Sequence, residues 1–322
     1  MKRVLIAGAT GFVGSNLTRR LLLDGHDVHV ILRTPSQTWR IEDILPTLHP
    51  TSVDLNDTQA LNRLAASIRP HWIFNCVGSG IASHRRTDQE ILLSDFEGAV
   101  NLVRACATQG FEAFVQSGSS TEYGPKDHAP KESESCQPNS AHGKAKVRAT
   151  AVCSDFARAN GAPIVTLRLY SVYGPFESPR RLIPRCAAFG LKNTLPPLAR
   201  PHLAHDFVHV DDVVDSYVLA ALSASRVPGV VYNIGTGRQS SLKEVIDIIR
   251  STMAISAEPR WGSMPDRPHD TQIWMADNSL ARKELGWAPT ESIEEGIRRF
   301  CEWLKASDSR AAFYIKESAE SD

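Results

Sequence analysis

Short apolar runs rich in β-branched residues alternate with longer amphipathic stretches over the first half of the chain. Arg3–Ala7, Asp27–Leu32, His71–Val77, Ala113–Gln116 and Pro163–Leu169 are rich in Val, Ile and Phe and bounded by Gly, Asn or Pro, which predicts buried strands. Thr51–Val53 reads as a further short strand. Between them Ser15–Leu23, Asp57–Ile68, Ile91–Thr108 and Ala145–Asn160 carry helical spacing. In Ile91–Thr108 the residues Leu92, Phe96, Val100, Val103 and Ala107 recur every three or four positions. Strand–helix alternation of this kind predicts an α/β fold: a doubly wound parallel sheet covered on both faces by right-handed crossovers.

From about Tyr170 the pattern loosens into loops carrying Pro175, Pro179, Pro184, Pro196, Pro197 and Pro201. Phe207–Val210 and Val230–Ile234 read as strands, Val213–Ser223 and Leu242–Arg250 as helices, and Arg260–Gln272 as a polar, proline-containing loop. Glu317–Asp322 is acidic and small, which predicts a frayed end. There is no internal repeat and no low-complexity linker. The expected organisation is two interleaved domains. Residues 1–169 with about 205–232 form the sheet domain, about 170–204 with 233–305 form a smaller second domain, and 306–322 form a tail.

Composition narrows the function classes. The 322 residues carry 36 Lys+Arg against 36 Asp+Glu, so bulk attraction to nucleic acid or to an anionic membrane is not expected. No apolar run approaches the ~18–20 residues of a membrane span. The run Val4–Ala7 breaks at Gly8 too early for a signal peptide. The six cysteines are far apart with no C-x-x-C pair, which favours a reducing, cytoplasmic setting over a disulfide scaffold or zinc ribbon. His202, His205 and His209 lie close in sequence, but no cysteine or acidic set completes a metal site, and none is expected.

Gly8-Ala9-Thr10-Gly11-Phe12-Val13-Gly14 sits between the first strand and the first helix. Glycines there allow a tight turn and close backbone approach to a pyrophosphate resting on the helix N-terminus, so a dinucleotide is expected. An NAD site usually carries an acidic residue about 20 positions on, at the end of the second strand. That strand ends Ile31-Leu32-Arg33-Thr34, and Arg33 could instead bind a 2′-phosphate. NADP is the preferred reading, with NAD the alternative. Asp54 and Leu55, after the third strand, are placed to meet the adenine.

Further motifs follow in order: Ser117-Gly118-Ser119-Ser120-Thr121-Glu122-Tyr123-Gly124, Arg168-Leu169-Tyr170-Ser171-Val172-Tyr173-Gly174-Pro175, Asp206-Phe207-Val208-His209-Val210-Asp211-Asp212, Tyr232-Asn233-Ile234-Gly235-Thr236-Gly237, Arg267-Pro268 and Glu284-Leu285-Gly286-Trp287. With the glycine turn they resemble the extended short-chain dehydrogenase/reductase family, the NAD(P)-dependent nucleotide-sugar epimerases, dehydratases and reductases, to about residue 305. The resemblance implies a Rossmann-type sheet with a C-terminal nucleotide-sugar domain. It also implies hydride transfer at a sugar carbon, and cofactor contacts that add Cys76, Val77, Ser117, Lys146, Tyr170 and Val172 to the glycine turn. Relatives commonly dimerise through helices matching Ile91–Thr108 and Ala145–Asn160, so a homodimer is expected.

In that family a Ser or Thr and a Tyr-x-x-x-Lys pair handle the hydroxyl proton. Ser119 and Lys146 match, but His142 stands where the tyrosine belongs. Positions four apart share a helix face, so His142 and Lys146 can still share a site. A tyrosine, with an intrinsic pKa near ~10, needs the lysine charge to act as a base; a histidine, near ~6.5, does not. Three readings stay open: a histidine acid–base catalyst, a non-catalytic cofactor or sugar-nucleotide binder, and proton transfer taken over by Tyr123. Ser120 and Thr121 replace the Asp-Glu pair that the family's 4,6-dehydratases use for elimination, so dehydration is not expected. Reduction of a 4-keto-6-deoxy sugar nucleotide is the preferred reaction, through Arg33 and an exchangeable NADPH, and 4-epimerisation is the alternative. Arg267 matches the family's diphosphate arginine, His205 replaces a second one, and Arg180 and Arg181 are candidates to compensate. Substrate contacts are thus expected from Ser119, Ser120, Thr121, Arg180, Arg181, His205 and Arg267.

Overall fold

Residues 1–33, 37–78, 87–264 and 273–319 are described by the structure, a computed structural model. The first half runs β1 (Arg3–Ala7), α1 (Phe12–Leu23), β2 (Asp27–Leu32), β3 (His49–Ser52), α2 (Thr58–Ile68), β4 (Trp72–Asn75) and α3 (Asp88–Leu92). A π-helical segment (Leu93–Glu97) leads into α4 (Gly98–Ala107), β5 (Ala113–Ser119), α5 (Ala141–Asn160) and β6 (Ile164–Leu169). Then come β7 (Ser171–Tyr173), α6 (Leu182–Gly190), β8 (Ala204–His205), β9 (Phe207–His209), α7 (Val210–Ser223) and β10 (Val230–Ile234). The chain continues through β11 (Ser240–Ser241), α8 (Leu242–Met253), α9 (Ser279–Leu285), α10 (Ile293–Lys305) and α11 (Asp308–Ala319).

Seven strands form one parallel sheet in the order β10-β6-β5-β4-β1-β2-β3, the expected doubly wound, Rossmann-type architecture. Strand alternation divides its faces. Val4 and Ile6 join Leu17, Leu21, Val213 and Tyr217 on one side, while Leu5 and Ala7 join Leu61, Leu102 and Cys153 on the other. Each fully buried Leu or Ile of this kind contributes about 1.5–3 kcal/mol. The order leads from β1 to β2 on one side and to β4 on the other, which opens a crevice beyond their carboxyl ends. Local chemistry starts and stops the helices. Asp57 accepts from the Ala60 N–H (2.9 Å) at α2, Ser140 accepts from the Gly143 N–H (3.1 Å) at α5, and Gly161 at φ +61° ends α5. No helix among the described residues is long and apolar enough to cross a membrane.

Several expected boundaries shift. His71–Val77 pairs only over Trp72–Asn75, Thr51–Val53 moves back to His49–Ser52, and Ile91–Thr108 is an α–π–α succession. Four helices, α6, α9, α10 and α11, were not anticipated. The 306–322 tail is corrected: residues 308–319 form a docked helix. Tyr314 is fully buried there, its ring packs against Trp39, Phe300 and Trp303, and its hydroxyl donates to the Glu177 carbonyl (2.7 Å). Aromatic anchors on distant segments hold the helix, and the composition of its own last residues does not reveal them. Together α6, α8, α10 and α11 enclose a third apolar cluster.

Beneath α11, Glu177 is buried with Oε2 unpaired among the described residues and Oε1 3.5 Å from Arg181 Nε. Burial pushes its carboxyl up from 4.5 to about 7. Between these values the folded chain holds a proton that the unfolded chain has lost, so this group's contribution to stability falls as pH rises. The difference corresponds to about 3 kcal/mol at most. Glu177→Gln should therefore raise Tm at pH 8 by several degrees while changing it little at pH 4.5. Calorimetry at the two pH values checks this, and an equal shift at both would refute it.

Candidate active site at the carboxyl ends of β1, β4 and β5

The glycine turn closes where β1 meets β4. Gly8 sits at φ +86°, and a Cβ on it would fall 2.7 Å from the Cys76 carbonyl carbon. A Cβ on Gly14 would fall 2.1 Å from the Gly8 carbonyl oxygen. Both positions therefore require glycine for close approach. Gly11 caps α1 without a side-chain hydrogen bond, and the first helical bond runs from the Ser15 N–H to the Gly11 carbonyl (2.9 Å). The N–H groups of Phe12, Val13 and Gly14 thus face the crevice as anion donors, which fits a dinucleotide pyrophosphate. Arg40, which sequence reasoning missed, braces this turn. Its guanidinium donates to the carbonyls of Thr10 (3.3 Å) and Phe176 (2.7 Å).

The other expected cofactor residues lie at or near the carboxyl ends of the sheet strands. Arg33 is exposed at the end of β2, Asp54 is exposed after β3, and Leu55 packs against Gly98. Cys76 and Val77 follow β4, and burial pushes the Cys76 thiol up to about 12. Ser117 on β5 bonds the Tyr217 hydroxyl. Tyr170 is buried with its hydroxyl unpaired among the described residues, and Val172 is half-buried on β7.

His142 and Lys146 share one face of α5. Lys146 Nζ, buried, donates to the carbonyls of Val77 (2.7 Å) and Ser117 (2.9 Å), which ties α5 to the ends of β4 and β5. A Cβ on Gly78 would meet Lys146 Nζ at 3.3 Å and His142 Cε1 at 3.9 Å, so both side chains converge on that bare backbone. His142 Nδ1 lies 3.1 Å from Asp95 Oδ2. Ser119 ends β5 and caps the turn Ser120–Glu122, with its hydroxyl 2.8 Å from Thr121 Oγ1. That turn abuts the first turn of α5, since a Cβ on Gly143 would fall 2.6 Å from the Thr121 carbonyl oxygen.

Glu122 and Tyr123 face away into the core. Glu122 is fully buried, paired with Arg168 (2.9 Å), and accepts from the Ser119 N–H (2.9 Å) and the Thr150 hydroxyl (3.1 Å). The Tyr123 hydroxyl donates to Asn233 (2.8 Å) and accepts from Arg168 (2.9 Å), and burial pushes it up to about 12. These partners tie the Tyr123 hydroxyl into the core.

On the substrate side the expected residues are more dispersed. Arg180 lies 3.8 Å from Glu317 and Arg181 3.5 Å from Glu177, so both already face carboxylates. His205 on β8 packs edge-on against Phe207 and Trp274. Arg267 lies outside the described residues. His209 caps α7, its Nδ1 accepting from the Asp211 N–H (3.3 Å). Among the described residues no three His, Cys, Asp or Glu side chains converge as a metal site. Asp95 and Gly78 escaped sequence reasoning; an acidic residue inside the apolar spacing of Ile91–Thr108 was the available signal for the first.

Known proteins share this fold. A UDP-glucose 4-epimerase of Mycolicibacterium smegmatis is 28% identical over 94% of this chain and 98% of its own. The solved UDP-glucose 4-epimerase of Thermotoga maritima, with UDP-glucose, superposes with a TM-score of 0.85 at 25% identity, covering 94% of this chain and 99% of that one. MoeE5 in complex with UDP-glucose and NAD gives 0.83 at 28% identity, covering 94% and 99%. The model of the NAD dependent epimerase/dehydratase family matches residues 4–235, and this chain belongs to that family.

Proposed function

We propose that this protein is a UDP-sugar 4-epimerase that retains NAD and uses His142 in place of the family's tyrosine. The observation that carries the reading is the convergence of His142 and Lys146 on Gly78, beside the Ser119 turn and the glycine crevice. When bound, the nicotinamide supplies the hydride acceptor and donor at the sugar carbon. His142 Nε2 accepts the proton of the sugar hydroxyl as that carbon becomes a ketone, and returns it after the ketone presents its other face. Lys146 places its Nζ beside the crevice, held by the Val77 and Ser117 carbonyls, and Ser119 is the second polar group at the hydroxyl. Ser120 and Thr121 offer no acid–base pair for elimination, which supports epimerisation over dehydration.

The expected reduction with NADPH rested on Arg33. Two similar proteins named above are 4-epimerases and MoeE5 carries NAD, which supports epimerisation with NAD instead. The protein incubated with NAD and UDP-glucose, UDP-galactose or UDP-glucuronate should interconvert the C4 epimers, read by NMR, with no net change in nicotinamide absorbance. Stoichiometric NADPH oxidation by a 4-keto sugar nucleotide would favour the reductase. Cofactor binding with no turnover of either kind would favour the binder. Gly14→Ala should weaken NAD binding about 10–100-fold in calorimetry, because its Cβ forces the turn apart. Unchanged affinity would remove the glycine turn from the cofactor site. The expected homodimer belongs to the same reading; α5 exposes Lys144, Arg148, Asp155 and Arg158, and light scattering tests it.

A further inference from the structure

We propose that Asp95 is a positioning residue for His142, holding the imidazole in the tautomer that carries its proton on Nδ1 and leaves Nε2 as an acceptor. This rests on the reading of His142 as the acid–base group. Asp95 sits in the π-helical segment between α3 and α4, a wider turn of backbone often found at functional sites. Its side chain is fully excluded from solvent, with Oδ2 3.1 Å from His142 Nδ1 and Oδ1 2.7 Å from the Ser94 hydroxyl. An ionised carboxylate only accepts, so the hydrogen between the two groups belongs to Nδ1, and the Nε2 lone pair stays available.

Charge gives the pair a second use. Lys146 and Asp95 both lie beside His142, one a basic and the other an acidic side chain. A phenol that ionises on losing its proton gains from the lysine alone. An imidazole that becomes positive on gaining one needs an anion as counterpart. The sugar proton moves to Nε2 and back, and Asp95 exchanges none.

Long-range 1H–15N spectra of the full chain with 15N-labelled histidine test the assignment. The wild type should show His142 protonated on Nδ1, and Asp95→Asn, whose amide can donate to Nδ1, should shift it toward the Nε2–H form. Asp95→Asn should lower kcat about 100-fold with KM changed less than about threefold. In a His142→Ala background the same change should cost less than about twofold. An Nε2–H tautomer in the wild type, or an equal loss with and without His142, would overturn the proposal. Should Asp95→Asn not fold, the wild-type spectrum alone decides. Should the wild type turn over no sugar nucleotide, the epimerase reading fails while the tautomer still decides the role of Asp95.

Discussion

Replacing His142 with alanine is expected to lower kcat for epimerisation by ~10²–10⁴ while leaving NAD affinity within about threefold. The side chain projects from the first turn of α5 with Nδ1 3.1 Å from Asp95 Oδ2, and that contact does not involve the glycine turn. The loss should therefore fall on the chemical step. No other described group near Ser119 is ready to replace it. Tyr123 is held by Asn233 and Arg168, and Glu122 is paired with Arg168. His142→Tyr is expected not to restore the rate, because Asp95 opposes the phenolate that a tyrosine must form. His142→Tyr combined with Asp95→Asn should be faster than His142→Tyr alone. A His142→Ala enzyme within about threefold of wild type would show that the proton moves by another route.

Arg168→Met is expected to destabilise the fold by about 3–5 kcal/mol, because it strands a buried carboxylate. Glu122 is fully buried and the Arg168 side chain is 7% exposed, with Nε 2.9 Å from Oε2. The guanidinium also lies 4.6 Å over the Tyr123 ring and donates to its hydroxyl. Removing both charges, in Glu122→Gln with Arg168→Met, should cost less than the single change. Urea denaturation of the singles and the double gives the coupling. Glu122 also receives the Ser119 N–H, so the arginine variant should lose activity at temperatures where it remains folded. A destabilisation below about 1 kcal/mol would mean that the carboxylate finds water or a proton.

Much of the fold was legible because its signals are short-ranged. β1, β2 and β10 were read at their observed limits from runs of branched apolar residues bounded by punctuation. The glycine turn was legible because three glycines fall within seven residues, two of them at positions that must lack a Cβ. His142 and Lys146 were legible as a pair because one helical turn joins them. What stayed illegible has partners far along the chain. Tyr314 meets Glu177 across 137 residues, Arg40 meets Phe176 across 136, and Asp95 meets His142 across 47. Arg180 and Arg181 looked open for a diphosphate because Glu317 and Glu177 are not neighbours that spacing reveals together.

The amino-acid sequence alone determined a parallel α/β sheet, a glycine turn at its first crossover, and a serine, histidine and lysine in the order of the family's proton-handling set. Periodicity and glycine placement act within a few residues, so they can be read without knowing how elements pack. Only the tertiary structure decided that Tyr123 and Glu122 face the core, that the last helix docks on an aromatic cluster, and that His142 meets a buried carboxylate. Those outcomes depend on which helix face lies against which strand end. That is set by the summed packing of the sheet, not by any local pattern.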